Sequence, residues 1–321
     1  MNVMVCCDDT LAAYHFGEQH PFGPARFHAF YNAFLNQGLD KQVDCFESEI
    51  ASQQQIEWFH QHQYVENVKL ASLVGTGYLD RGDTPAFVGV YEAASRVVGT
   101  TLRAMQLILD GKCQRAFVPI AGLHHARRDT AAGFCVFNDC AVVIEALRHQ
   151  YNLTRVLYVD IDAHHGDGVF YSYEDDPDVV IVDVHEDGQF LYPGTGAATE
   201  SGLADAKGSK LNIPLNMAAD DVAFESNWPI IERFIMQSHF DFIILQCGAD
   251  SIKGDPITHL ALTADTHAKV TQRLCQIADE KCSGRLLVTG GGGYNLDNVA
   301  QGWCAVVDAL VRYSDGTRVE A

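Results

Sequence analysis

Basic residues are scarce in this chain. Lysine and arginine together number 22 against 42 aspartates and glutamates, a formal charge of −20 over 321 residues. A nucleic-acid-binding surface needs a cationic footprint, so direct nucleic-acid binding is not expected. Long apolar runs are absent too: no stretch of 18 uncharged apolar residues occurs, which excludes a membrane-spanning helix. There is no low-complexity tract, no internal repeat and no Pro/Ser-rich linker, and the whole chain, 1–321, reads as one domain. No CxxC pair occurs among the ten cysteines, which argues against a cysteine zinc ribbon. Cys6, Cys7, Cys135, Cys140, Cys247 and Cys304 sit among apolar residues and read as small buried hydrophobes. The opening MNVMVCCDDT is too acidic for a secretory or transit segment, so the expected location is the cytoplasm, a reducing compartment.

What is present is an alternation. Short β-branched or apolar runs at 3–6, 116–120, 155–159, 179–184, 242–246 and 285–289 are separated by helix-period stretches at 91–109, 139–149, 224–237, 263–280 and 299–312. This order predicts a three-layer α/β fold: an open, mostly parallel sheet flanked by helices on both faces. From 8 to 83 the strand signal is weak, and the segment reads as mostly helix and loop.

Polar residues gather where the runs end. After 116–120 comes AGLHHA, after 155–159 DIDAHHGDG, after 179–184 HEDGQFLYPGTG, after 242–246 CGADS, and after 285–289 GGGGYN. Ligands bind beyond the carboxyl ends of the strands in open α/β sheets, so five such loops mark one site. Asp162 and His164, two residues apart on extended chain, can reach a common point. A catalytic zinc usually takes three protein ligands and a water, and Asp250, preceded by small residues, is the best third candidate. An Asp2His set is harder than most zinc sites, so Fe(II) and Mn(II) also suit it. His124 and His125 are poor core residues and good acid–base groups near neutral pH. Asp160 and Asp167 flank the metal loop without being needed as ligands, and are expected to orient the histidines. Four consecutive glycines, Gly290–Gly293, let the backbone pass close to a metal or substrate and bring Tyr294 inward as an oxyanion donor. The rival reading, a phosphate loop, lacks the lysine that should follow.

The segments AGLHHARRDTAAGFCVFND, VLYVDIDAHHGDGV, LYPGTG, LQCGADS and VTGGGGYNLDNVA resemble, in order, those of the histone deacetylase superfamily of zinc amidohydrolases, with an arginase-like fold. Weaker likeness in HPFGPAR and RGDTP extends the resemblance over nearly the whole chain. It implies zinc on Asp162, His164 and Asp250, a catalytic pair His124–His125 backed by Asp160 and Asp167, His125 as general base, and Tyr294 polarising the substrate carbonyl. It further implies that Gly133 and Phe134 line an acyl-lysine tunnel opposite Tyr192, and that Asp83 grips the substrate backbone at the rim. Arg26 matches an arginine beside an internal acetate channel, with a surface salt bridge as the alternative. Asp183 stands where the family often has serine, near an internal monovalent-cation site; the carboxylate is compatible with a retained K(+) and with an altered site. Ile257 replaces the acidic gatekeeper of dedicated polyamine deacetylases. The expected activity is removal of acetyl or short acyl groups from lysine side chains of proteins or peptides. Deacylation of acetylpolyamines or other small acetylated amines is the alternative, and a non-enzymatic binding protein on the same fold the less favoured one.

Overall fold

In a computed structural model of the protein, which describes residues 3–314 and 316, the described residues form one eight-stranded sheet in the order β2-β1-β3-β8-β7-β4-β5-β6. The one-domain reading of 1–321 extends beyond these residues at both ends. The strands are β1 (Val3–Cys6), β2 (Asp44–Phe46), β3 (Arg115–Val118), β4 (Val156–Asp160), β5 (Val179–Glu186), β6 (Lys210–Leu215), β7 (Phe242–Gln246) and β8 (Leu286–Thr289). Every pairing among them is parallel. Helices cover both faces: α1 (Ala25–Asn36), α2 (Gln53–Ile56), α3 (His62–Val74), α4 (Val90–Leu109), α5 (Asp139–Tyr151), α6 (Asp167–Ser172), α7 (Asp221–Gln237), α8 (Ala264–Lys281) and α9 (Leu296–Ser314).

Sequence dictates this arrangement through burial on both faces. β4 and β7 are buried at every position and read as continuous apolar runs, as central parallel strands must. In α4, Ala94, Val97, Val98, Thr101, Ala104, Met105 and Ile108 recur at helical spacing and are all buried. Asn138 caps α5 by accepting from Ala141 N–H, and Asp220 caps α7 by accepting from Ala223 N–H.

Two strands add to the expected runs, in a segment 8–83 that is otherwise helix and loop and at the far sheet edge, and one expectation, on Cys7, is corrected. The segment 8–83 contributes a strand, β2, whose first two residues are exposed and therefore carry no apolar signal. A further strand, β6, lies at the opposite edge and includes Pro214, which a sheet tolerates at its rim. Cys7 is not a free buried thiol: it is disulfide-bonded to Cys45 of β2. The other eight cysteines are free and buried.

The order of the sheet positions the site. β3, β8, β7 and β4 are neighbours at its centre. The loops leaving these four strands carry the histidine pair, the glycine run with Tyr294, Asp250, and Asp162 with His164.

Tyr14 ties the N-terminal segment to the loop that follows the histidine pair. Its buried hydroxyl donates to the Phe134 carbonyl at 2.7 Å and accepts from Val136 N–H at 2.9 Å. Tyr14→Phe leaves that N–H unsatisfied, and we expect a loss of about 1–3 kcal/mol in denaturant unfolding. An unchanged midpoint would mean that water replaces the hydroxyl.

Candidate active site

Asp162, His164 and Asp250 are the three residues that the metal reading requires, and the fold brings them together. Their ligand atoms lie within 4.8 Å of one another and all three side chains are buried. His164 Nδ1 stands 3.0 Å from Asp162 Oδ1 and 3.1 Å from Asp250 Oδ2. Those separations approach the about 3.3 Å edge of a tetrahedron with bonds of about 2.0–2.1 Å. The remaining lone pairs are taken. Asp162 Oδ2 accepts from Gln246 Nε2 and Gly292 N–H, both at 2.8 Å, and Asp250 Oδ1 accepts from Ala163 N–H at 3.0 Å. Such outer contacts orient ligands. Burial opposes a charge on His164, but hydrogen bonds and charge from Asp162 and Asp250 outweigh it and raise the imidazole to about 10. Burial and the neighbouring Asp162 push Asp250 up to about 7. Two carboxylates in one buried pocket thus demand positive charge, and a divalent cation fits the donor set.

The glycines shape this pocket. A methyl group added at Gly248 would collide with Asp162 Oδ2, and one at Gly292 with Asp250 Oδ2. The expected role of the glycine run as a close-approach backbone therefore has a specific reason.

The histidine pair sits beside the three ligands. His124 Nδ1 donates to Asp160 Oδ2 at 2.8 Å, and His125 Nδ1 donates to Asp167 Oδ1 at 2.7 Å. The two Nε2 atoms are 3.1 Å apart. Asp160 also accepts from the Tyr158 hydroxyl at 2.6 Å. Burial disfavours charge on both rings, but they part company. The charges of Asp160 and Asp162 carry His124 up to about 9. Burial together with the positive His124 drives His125 down to about 4 despite Asp167. The same surroundings thus favour a proton on His124 and disfavour one on His125.

Tyr294 lines the same narrow cavity as Phe22, His124, His125, Gly133, Asp162 and His164. Burial and the nearby Asp250 hold its hydroxyl protonated, well above the usual phenol range. Phe134, at φ +66°, packs edge-on against Tyr294 with ring centres 5.9 Å apart. Tyr192 packs edge-on against His125 at 5.2 Å and His164 at 6.4 Å. The two aromatic residues thus flank the site through different neighbours, with Gly133 pressed against the His125 ring. Asp83 is half-buried and pushed up to about 6 by burial and by Asp80. Thr84 donates its hydroxyl to Asp83 at 3.1 Å and accepts from Phe134 N–H, which links the rim to the wall.

Arg26 is not in a surface salt bridge; it is 1% exposed. Its Nε and Nη2 donate to the Gly293 and Gly291 carbonyls at 2.6 Å each, so it braces the glycine run from beneath. Asp183 accepts from His185 Nδ1 at 2.6 Å and from Gly166 N–H at 2.9 Å, and lies opposite Asp160 across the β4–β5 pairing. Ile257 is half-buried and donates its N–H to Asp255.

Sequence reasoning passed over several supports. Asp255 accepts from Tyr294 N–H at 2.8 Å as well as from Ile257 N–H, joining the rim loop to the glycine-run tyrosine. Gln246 holds Asp162, as described above. His60, buried behind the histidine loop, accepts from Asn138 N–H at 2.9 Å, while Asn138 Nδ2 donates to the His124 and Ala126 carbonyls. None of these is signalled by spacing, since each acts on backbone distant in sequence.

This constellation on this sheet defines a metal-dependent hydrolase of the α/β type. The chain belongs to the histone deacetylase family and is a deacetylase: the histone deacetylase domain matches residues 20–310. Among its relatives, the acetoin utilization protein AcuC of Bacillus subtilis (strain 168) is 36% identical over 306 residues, covering 92% of this chain and 79% of that protein. The histone deacetylase RPD3 of Saccharomyces cerevisiae (strain ATCC 204508 / S288c) is 32% identical over 307 residues, covering 92% and 69%. The crystal structure of the HDA15 HD domain superposes with a TM-score of 0.85 at 27% identity, covering 97% of this chain and 90% of that one.

Two predictions follow from the geometry. Gly292→Ala should displace the Asp250 carboxylate and weaken divalent-ion binding by at least tenfold, roughly the loss expected when a ligand's orientation is disturbed. Calorimetric titration of the metal-stripped variant checks this, and an unchanged affinity would break the link between the glycine and the ligand set. The second concerns acid stability. Burial lowers His60 to about 3. Its unfolded value is about 6.5, so the unfolded chain binds this proton first. The stability is fully present above about pH 6.5 and falls by about 1.4 kcal/mol per unit as pH drops from there toward 3. His60→Gln keeps an acceptor without titrating, so unfolding curves of the variant should show a flatter acid limb than wild type.

Proposed function

We propose that the protein is a zinc-dependent amide hydrolase that removes acetyl or short acyl groups from lysine side chains of peptides or proteins, and that its 321 residues make up one catalytic domain. The observation that carries this reading is the convergence of Asp162, His164, the His124–His125 pair and Tyr294 on one narrow cavity, with Asp250 beside Asp162 and His164. Asp162, His164 and Asp250 would hold a divalent ion, which would supply Lewis acidity toward a water and an amide carbonyl.

The chain's own residues do the rest. His125, with Nδ1–H committed to Asp167, is the member of the pair that serves as base for the attacking water. His124 is held by Asp160 through its Nδ1–H, and the leaving amine takes its proton from the pair as the oxyanion collapses. Tyr294 stays protonated and donates its hydroxyl to the same oxyanion. Phe134 and Tyr192 offer apolar surface to the lysine methylenes, while Asp83 at the rim accepts from the substrate backbone. Ile257 supports a lysine substrate over a polyamine, because it places no anion where a second amine would need one. The charge of −20 suits a cationic substrate of either class.

The test is a comparison of kcat/KM on acetyl-lysine peptides, acetylspermidine and acetylputrescine, with defined zinc or iron content. Higher efficiency on the peptides is expected, and Tyr294→Phe should lower peptide turnover about 10²–10³-fold with little change in binding. Preference for the acetylpolyamines would assign the protein to small-molecule chemistry instead.

A further inference from the structure

Asp167 is a shared carboxylate. One oxygen takes the Nδ1–H of His125, and the other accepts from Arg127 Nη2 at 2.8 Å. Asp167 itself is 1% exposed, whereas the Arg127 side chain is 51% exposed, so the guanidinium reaches a buried anion from the solvent side. Backbone contacts fix where both partners start. Arg127 N–H donates to the Thr130 carbonyl at 2.9 Å, closing the turn that directs the side chain. On the other side, Val169 N–H donates to the His124 carbonyl at 3.2 Å. A methyl at Gly168 would stand 2.5 Å from the His125 carbonyl carbon, so α6 starts hard against the histidine loop.

With its backbone held this closely, Asp167 keeps one soft coordinate, rotation of its carboxylate plane. A carboxylate with a single donor can turn and still satisfy it; two donors on opposite oxygens leave one orientation. The burial of Asp167 makes the second donor important, because an unpaired oxygen there is costly.

We infer that Arg127 is a positioning residue for the acid–base step: it locks the Asp167 carboxylate and through it aims the Nε2 of His125. This rests on the proposed amide hydrolysis, in which His125 is the base. Arg127 touches neither the three ligands nor His125 in this arrangement, so it acts only through Asp167.

The experiment is steady-state kinetics of the metal-loaded enzyme on an acetyl-lysine peptide, with NMR of the His125 ring nitrogens alongside. Arg127→Gln should lower kcat about three- to tenfold, a range set by partial solvent exposure of the pair, with KM changed less than about twofold. Arg127→Lys, which keeps a charged donor, should recover most of the loss. In an Asp167→Asn background, Arg127→Gln should add less than about twofold, since the group it acts through has changed. In the spectra, the single Nδ1–H tautomer of wild type should give way to exchange broadening in Arg127→Gln and return in Arg127→Lys. Equal losses in both backgrounds, a change confined to KM, or an unaltered tautomer signal would each overturn the inference. If the wild type fails to hydrolyse the peptide but the ring signals respond as described, the substrate reading falls and the positioning role stands.

Discussion

Buried negative charge is the constraint around which this protein is organised. Asp160, Asp162, Asp167, Asp183 and Asp250 are each no more than 1% exposed, and an ionised carboxylate in such surroundings is costly unless every oxygen is answered. The answers come from imidazoles, from backbone N–H groups and from Arg127, and the arrangement of those answers is the site. His124 is lifted and His125 depressed by the same network, so two neighbouring identical side chains are held differently. That asymmetry is a by-product of solving a solvation problem.

Close packing of backbone enforces the network. Gly248 and Gly292 stand where any side chain would strike the ligand carboxylates, and Gly168 where a methyl would strike the histidine loop. Arg26 completes this from below, holding two carbonyls of the glycine run while its guanidinium lies 4.0 Å from the Phe22 ring centre. Rigidity at the site thus comes from what is missing as much as from what is present. The walls differ: Phe134, Tyr192 and Asp83 sit on loops, and the two aromatic rings lean directly on Tyr294, His125 and His164.

The legibility of all this in the sequence was uneven, for physical reasons. Strands buried on both faces, such as β4 and β7, announce themselves as apolar runs. β2 is half exposed and β6 contains a proline at the sheet edge, so neither does. Asp162 and His164 are readable because their relation is local, and Asp250 because it follows a strand directly. Asp255, Gln246, His60 and Arg127 are not, because each meets its partner only after the chain has folded back. The Cys7–Cys45 bond, spanning 38 positions, is hidden for the same reason. Resemblance to a family supplied the tunnel and rim positions, which no periodicity encodes.

The strand order has a consequence for how the molecule is made. β8 lies between β3 and β7 and is their only link within the sheet, so β2-β1-β3 on one side and β7-β4-β5-β6 on the other are separate half-sheets without it. Among the described residues it is also the last strand along the chain. Without it, Asp162 and Asp250 belong to one raft and the histidine pair to the other, with no strand pairing between the two. The meeting of the histidine pair with Asp162 and Asp250 therefore leans on a strand of four residues, Leu286–Thr289, that carries none of those side chains itself.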